Sequence, residues 1–220
     1  MPITKGLDKL VKYNNRSIKD LTTTPTAAGG GDTGALVLIK TLTASSSGTL
    51  SFVDGSSDVV LDNTYPVYKF QLINIHPSAN GSSLAMNLSI DSGSNYNVAK
   101  TTTFFYALNA EDNSYAAVTY ATGDDLAQGT GFQPIAPIGY GNDECGCASM
   151  FLFNPSSTTF VKHFLINSSS LQDASGDMYE RNNYASGYAN TTSAVNAVQF
   201  KMLSGNIDAG KIKLYGIKDA

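Results

Sequence analysis

The sequence predicts an all-β chain: a jelly-roll-like antiparallel β-sandwich preceded by an N-terminal arm and a Gly/Pro-rich linker. Three observations predict it. The first is the final stretch, Ala197 to Lys218, where two alternating runs flank Gly-Asn-Ile-Asp-Ala-Gly. Val198, Phe200 and Met202 point one way and Gln199 and Lys201 the other; Ile212 and Leu214 then oppose Lys211, Lys213 and Tyr215. Alternation broken by turn residues reads as a β-hairpin, and a chain ending on one must pair it with something earlier, as in a sandwich or jelly roll. The second is composition. Hydrophobic residues make up 42%, enough for a core, while only 15% are charged and glutamate occurs three times, at Glu111, Glu144 and Glu180. Serine, threonine, asparagine and glycine dominate the rest, so turn and strand formers outweigh helix formers. The third is a succession of short alternating runs, about nine or ten in number, separated by turn signals.

Taken in order, the chain begins with an arm. Ile3, Leu7, Leu10 and Val11 fall at helical spacing beside the basic Lys12 and Arg16. A helix of about a dozen residues is marginal without a partner, so the arm is expected to order on another surface. Thr22 to Gly34, TTTPTAAGGGDTG, is a linker. The expected boundary lies near Gly34, separating a docking arm (1–34) from a body (35–220).

The body opens with strands at Ala35–Thr43 and Gly48–Val53. Tyr65–Ile75 follows, with Tyr68, Phe70 and Leu72 on one face and Pro66 near its start, where a strand tolerates proline. Leu84, Met86, Leu88 and Ile90 alternate with Ala85, Asn87 and Ser89, the pattern of a half-buried strand. Strands are also expected over Asn97–Leu108 and Tyr115–Ala121. Gly123 to Asp143 reads as a long irregular region, functional or packed as a lid over the sheet end. A hairpin is expected from Ala148–Phe153 and Thr158–Asn167 around Asn154-Pro155-Ser156-Ser157. Ser168 to Asn190 reads as a second long polar region with a strand over Met178–Tyr188.

Charge narrows the function classes. The chain carries a net −4, but residues 1–20 hold five basic side chains against two acidic, and the remaining 200 hold nine against sixteen. A basic arm thus precedes an acidic body. Phosphate binding needs clustered Lys and Arg, so no nucleic-acid partner is expected. No run reaches the length of a membrane span, and Met1 to Leu10 has no apolar signal core, so synthesis and assembly in a reducing cytoplasm are expected, without membrane insertion. Cys145 and Cys147 are two residues apart, a separation that strains a bridge, and read as free thiols.

No constellation points to catalysis. Glu111-Asp112, Asp124-Asp125 and Asp143-Glu144 are sequence neighbours in loops, whereas glycoside hydrolysis needs two carboxylates facing each other across a bond. Zinc needs four N or S ligands, and His76 and His163 are the only histidines. His163 shares a face with Val161 and Leu165 and reads as a core or interface histidine. No cofactor is expected. Calcium is the metal that the oxygen-rich segment Asp173–Asp177 would suit, although this lacks the EF-hand spacing and its closing glutamate. Tyr179, Tyr184 and Tyr188, with Asn182, Asn183 and Asn190, have the composition of a ligand surface, since tyrosine supplies both apolar area and a hydroxyl. Asp124 and Asp125 join them as candidates.

Four stretches carry a resemblance: Ser94–Phe105 (SNYNVAKTTTFF), Gly123–Phe132 (GDDLAQGTGF), Phe153–Phe164 (FNPSSTTFVKHF) and Val198–Lys218, ending KLYGIK. The chain resembles short β-rich virion surface proteins of tailed phages, especially marine ones, which include tail fibre, tail-associated and head decoration proteins. The resemblance implies a non-enzymatic structural role on the virion exterior, with other virion proteins as partners of residues 1–34. It also implies a homo-oligomer, a trimer. Three functions follow as expectations: a tail fibre or adhesin that binds host surface glycan, a capsid decoration protein, and a depolymerase acting through Asp124, Asp125 or Asp143.

Overall fold

The computed structural model describes residues 35–219 apart from 175 and 176; side chains at 173–176 are also outside the description. Ile3, Leu7, Leu10, Val11, Lys12 and Arg16 lie outside the described residues, as does the linker. The chain divides into Met1–Val37 and Leu38–Ala220, the second being a compact unit.

The described residues form twelve strands: β1 (Leu36–Thr43), β2 (Leu50–Val53), β3 (Val67–Pro77), β4 (Ser82–Ser89), β5 (Lys100–Ala110), β6 (Ala116–Tyr120), β7 (Gln133–Ile138), β8 (Gly146–Phe153), β9 (Lys162–Ala174), β10 (Asp177–Ala189), β11 (Ala197–Met202) and β12 (Ile207–Ile217). They make two sheets, ordered β1-β12-β3-β8-β9-β10-β5-β6 and β2-β11-β4-β7. Wherever register is traced the pairing is antiparallel. The fold class is therefore all-β, a β-sandwich.

The strand order explains the jelly-roll character. β1 lies beside β12, β2 beside β11, β3 beside β8 and β4 beside β7. These eight strands are one long antiparallel ribbon folded back on itself and rolled into two four-stranded sheets. The other four are insertions. β5–β6 enters between β4 and β7, and β9–β10 between β8 and β11. β10 pairs with β5 along Tyr179↔Ala110 to Ala189↔Lys100, so the insertions meet and double the width of one sheet.

Alternation selects the core. Tyr68, Phe70 and Leu72 on β3, Met150 and Leu152 on β8 and Ile212 and Leu214 on β12 point inward from the large sheet, all essentially without exposed surface. Phe52, Leu84, Met86, Val198 and Phe200 meet them from the small sheet. Phe70 packs edge-on to Phe52 at 5.3 Å between ring centroids and against Phe200 at 5.4 Å, which ties the sheets together.

Five expectations are corrected. β11 and β12 are not a hairpin: β11 pairs with β2 and β4, and β12 with β3. Both present apolar faces to the same core, from opposite sheets, with Phe200 on one side and Leu214 on the other. Much of Gly-Asn-Ile-Asp-Ala-Gly accordingly belongs to β12, with a bulge that Gly210 accommodates at φ 118°. The Gly123–Asp143 region is not irregular throughout, because Gln133–Ile138 forms β7, buried along its whole length. Its two prolines are tolerated on a sheet edge. In the polar Ser168–Asn190 region the expected strand over Met178–Tyr188 is present within β10, but the residues before it are not irregular, because they belong to β9, which pairs antiparallel with β10. β4 is buried on both faces, not half-buried, because Asn87 donates to the carbonyls of Tyr96 (2.6 Å) and Thr130 (3.0 Å) in covering loops, while Ile90 lies beyond the strand at 44% exposure. His163 is an outward-facing residue rather than a core histidine: Lys162 and Phe164 point inward, and its ring lies 5.9 Å from that of Tyr188.

Candidate functional site: the outer face of the large sheet

The widened sheet has an outer face that the small sheet does not cover. On it, register brings together side chains distant in sequence. One row runs Lys213, Gln71, Ser149, Asn167, Tyr184, Phe105 and Tyr120 across β12, β3, β8, β9, β10, β5 and β6. The next runs Tyr215, Lys69, Phe151, Leu165, Ser186 and Thr103.

Aromatic rings dominate the centre. Phe105 and Tyr184, directly cross-strand, stack at 5.0 Å with their planes 12° apart and remain 42% and 43% exposed. Phe151 and Phe153 stack at 6.5 Å along β8, and the Lys69 ammonium lies 5.6 Å from the Phe151 ring centre. A shallow groove of about 370 Å³ is walled by Phe105, Phe151, Leu165 and Tyr184, with Ser149, Asn167 and Ser186 among its polar groups. A second groove, about 460 Å³, continues it over Thr101, Thr103, Phe153, His163 and Tyr188. An open apolar trough with a few amide and hydroxyl groups holds a ligand by ring contact and orients it by hydrogen bonds.

Of the tyrosines expected to form a ligand surface, Tyr184 and Tyr188 do lie on this face. Tyr179 takes the opposite parity on β10, with its hydroxyl 3.4 Å from Asp177. Asn183 is corrected outright: it is 1% exposed and faces inward. It donates to Ser168 Oγ at 3.1 Å and accepts from Arg181 Nε at 2.7 Å, and Ser168 donates to the Ile135 carbonyl at 2.9 Å. This chain joins β10 and β9 to β7. Asp124 and Asp125 are not on the groove floor. Asp124 lies 3.8 Å from Arg181, whose guanidinium sits 3.6 Å from the Tyr106 ring centre, and burial raises its carboxyl above the usual range against the opposing pull of Arg181. Asp125 accepts a hydrogen bond from the Tyr120 hydroxyl at 2.7 Å, anchoring the ring that ends the cross-strand row beside Phe105. The loop bearing both aspartates is tied to β5 by Thr102 Oγ1, which donates to Gln133 at 2.6 Å and accepts from the Leu126 amide at 2.8 Å.

Sequence reasoning missed Phe105, Phe151, Leu165, Ser149 and Asn167. The available signal was Phe104-Phe105 and Phe151-Leu152-Phe153: large apolar residues at consecutive positions in a strand put one on each face. Among the described residues, no three His, Cys, Asp or Glu side chains converge as a metal site. Cys145 and Cys147 are free thiols.

No family model matches the chain, and no curated protein matches it. Among solved structures it is similar to the crystal structure of infectious bursal disease virus VP2 subviral particle, at 12% identity over 83% of this chain and 41% of that one, with a TM-score of 0.12. So slight an overlap carries no argument, and the fold assignment rests on strand order.

Proposed function

We propose that this is a non-enzymatic structural protein of the outside of a tailed-phage particle, of tail fibre or adhesin type. It binds host surface glycan with the outer face of its large sheet. Residues 1–34 dock it to other virion proteins, and the linker, about 20 Å in root-mean-square reach, holds the body clear of the anchor. Assembly in the host cytoplasm as a homotrimer would multiply weak contacts into firm attachment.

The observation that carries this reading is the stacked, exposed Phe105–Tyr184 pair beside Asn167 and Ser149. Ring faces suit the apolar faces of sugar rings, and amide and hydroxyl groups suit sugar hydroxyls. The sequence resemblance to virion surface proteins supports the location. A second reading, capsid decoration, is favoured by the aliphatic residues near the rings: Leu165 is 50% and Val118 78% exposed, and such groups suit a protein partner better than a sugar.

Immunogold labelling of intact particles with antibody against residues 35–220 tests the location. Label confined to the tail is the expected result. Label spread over the head facets would replace the adhesin reading with decoration. Absence of label on particles that contain the protein would overturn a projecting body altogether.

A further inference from the structure

Independently of the virion reading, one corner of the sandwich holds an uncompensated buried carboxylate. Glu144, in the turn between β7 and β8, is 4% exposed. Its Oε2 accepts the Gly141 amide, while Oε1 has no hydrogen-bond partner among the protein's atoms. No Lys or Arg among the described residues pairs with it. The only other buried side-chain oxygen so orphaned among the described residues is Ser170 Oγ. Both orphans belong to the same corner: Ser170 is the register partner of Gly146, and the Leu171 backbone bonds both Gly139 and Cys145, at 3.1 and 3.2 Å.

The turn is built around the carboxylate. The Glu144 carboxyl group lies where a Cβ on Gly139 would be. A Cβ on Gly141 would lie 2.7 Å from Glu144 Oε2 and 3.3 Å from Asp143 Oδ1, so both side chains of the turn flank this glycine. His76 fixes the turn from outside, its Nε2 3.1 Å from the Gly141 carbonyl. Asp143 is exposed, leaving the corner open to solvent on that side.

A buried carboxyl oxygen without a hydrogen-bond partner is unfavourable. A hard cation removes that penalty, taking oxygen ligands from carboxylates, hydroxyls and water. The geometry points to a divalent cation site of the calcium class at the β7–β8 turn, with Glu144 and Asp143 as its charged ligands and Ser170 as a hydroxyl donor to the same corner. It is separate from the Asp173–Asp177 segment.

The test uses the full chain, stripped with chelator and melted in chelator, in millimolar calcium chloride and in millimolar magnesium chloride. Calcium is expected to raise Tm by several degrees, D143N to reduce the rise, E144Q to abolish it, and D177N to leave it unchanged. Terbium, a calcium analogue, is expected to show tyrosine-sensitised emission, with Tyr140 beside the site, which calcium displaces and D143N weakens. No rise with calcium in the unmodified chain overturns the site. A rise of equal size in D143N and E144Q overturns it as well, and one lost in D177N moves the ion to the other segment. D143N changes an exposed residue and keeps the test decisive if E144Q folds poorly.

Discussion

Lys100 is fully buried, and among the described residues no carboxylate pairs with it. Its ammonium donates to Asn87 Oδ1 at 2.5 Å and to the Val98 carbonyl at 2.7 Å. Burial pushes its pKa down to about 8 from the ordinary 10.5. The folded chain therefore binds fewer protons than the unfolded chain between those values, and stability from this group rises with pH across that window. The buried Tyr68 phenol, its pKa raised chiefly by burial, acts in the opposite sense above its ordinary value of 10.0. Between pH 8 and 10 the urea midpoint of the native chain should rise relative to that of K100M; a pH-independent difference between them would refute the assignment. On β10, neighbouring residues have opposite duties. N183A leaves Arg181 and Ser168 without their buried partner and should lower stability by about 1–3 kcal/mol, measured by urea unfolding, with ligand binding unchanged. Y184A should do the reverse, because its ring is exposed. Equal stability losses in the two variants would contradict their placement on opposite faces.

At the scale of elements, the site depends on the meeting of two insertions. Gly187 lies where β10 presses on β5, and a Cβ there would stand 2.5 Å from the Thr101 carbonyl oxygen and 2.6 Å from Thr102 Cγ2. G187V should cost about 1–3 kcal/mol by overpacking. It should also expose the β5–β10 amides to hydrogen exchange before those of β3 and β12. Uniform loss of protection across both sheets would show that the insertions are not a separable layer. How far the elements were legible follows from their periodicity. Tyr68, Phe70 and Leu72 announce β3 because their partners at odd positions face water. Gln133–Ile138 does not announce β7, since both faces are covered and two prolines read as loop. The final runs were recognisable as strands, but alternation says which residues face a core and not from which sheet. Phe200 and Leu214 look alike whether their strands are paired or opposed.

At the scale of the molecule, the jelly-roll class was readable because many short alternating runs and scarce charge allow few other ways to bury an apolar face. The site was only half readable. Tyr184 and Tyr188 stand out within one strand, whereas Phe105, Phe151 and Asn167 join them only through the register of β5, β8 and β9 against β10. A groove spanning four strands has no signature in any one of them. Among the described residues, the roll that assigns the large sheet's inner face to the core leaves its outer face as a broad surface to offer a partner. The measurement that tests this most directly is binding of residues 35–220, presented on a multivalent carrier, to host cells and to their isolated surface polysaccharide, beside an F105A/Y184A variant of unchanged Tm. Saturable binding that the double substitution reduces at least tenfold is expected, on the order of 0.5–1.5 kcal/mol per stacked ring. Binding that survives the double substitution undiminished, or no binding by any multivalent form, would contradict it.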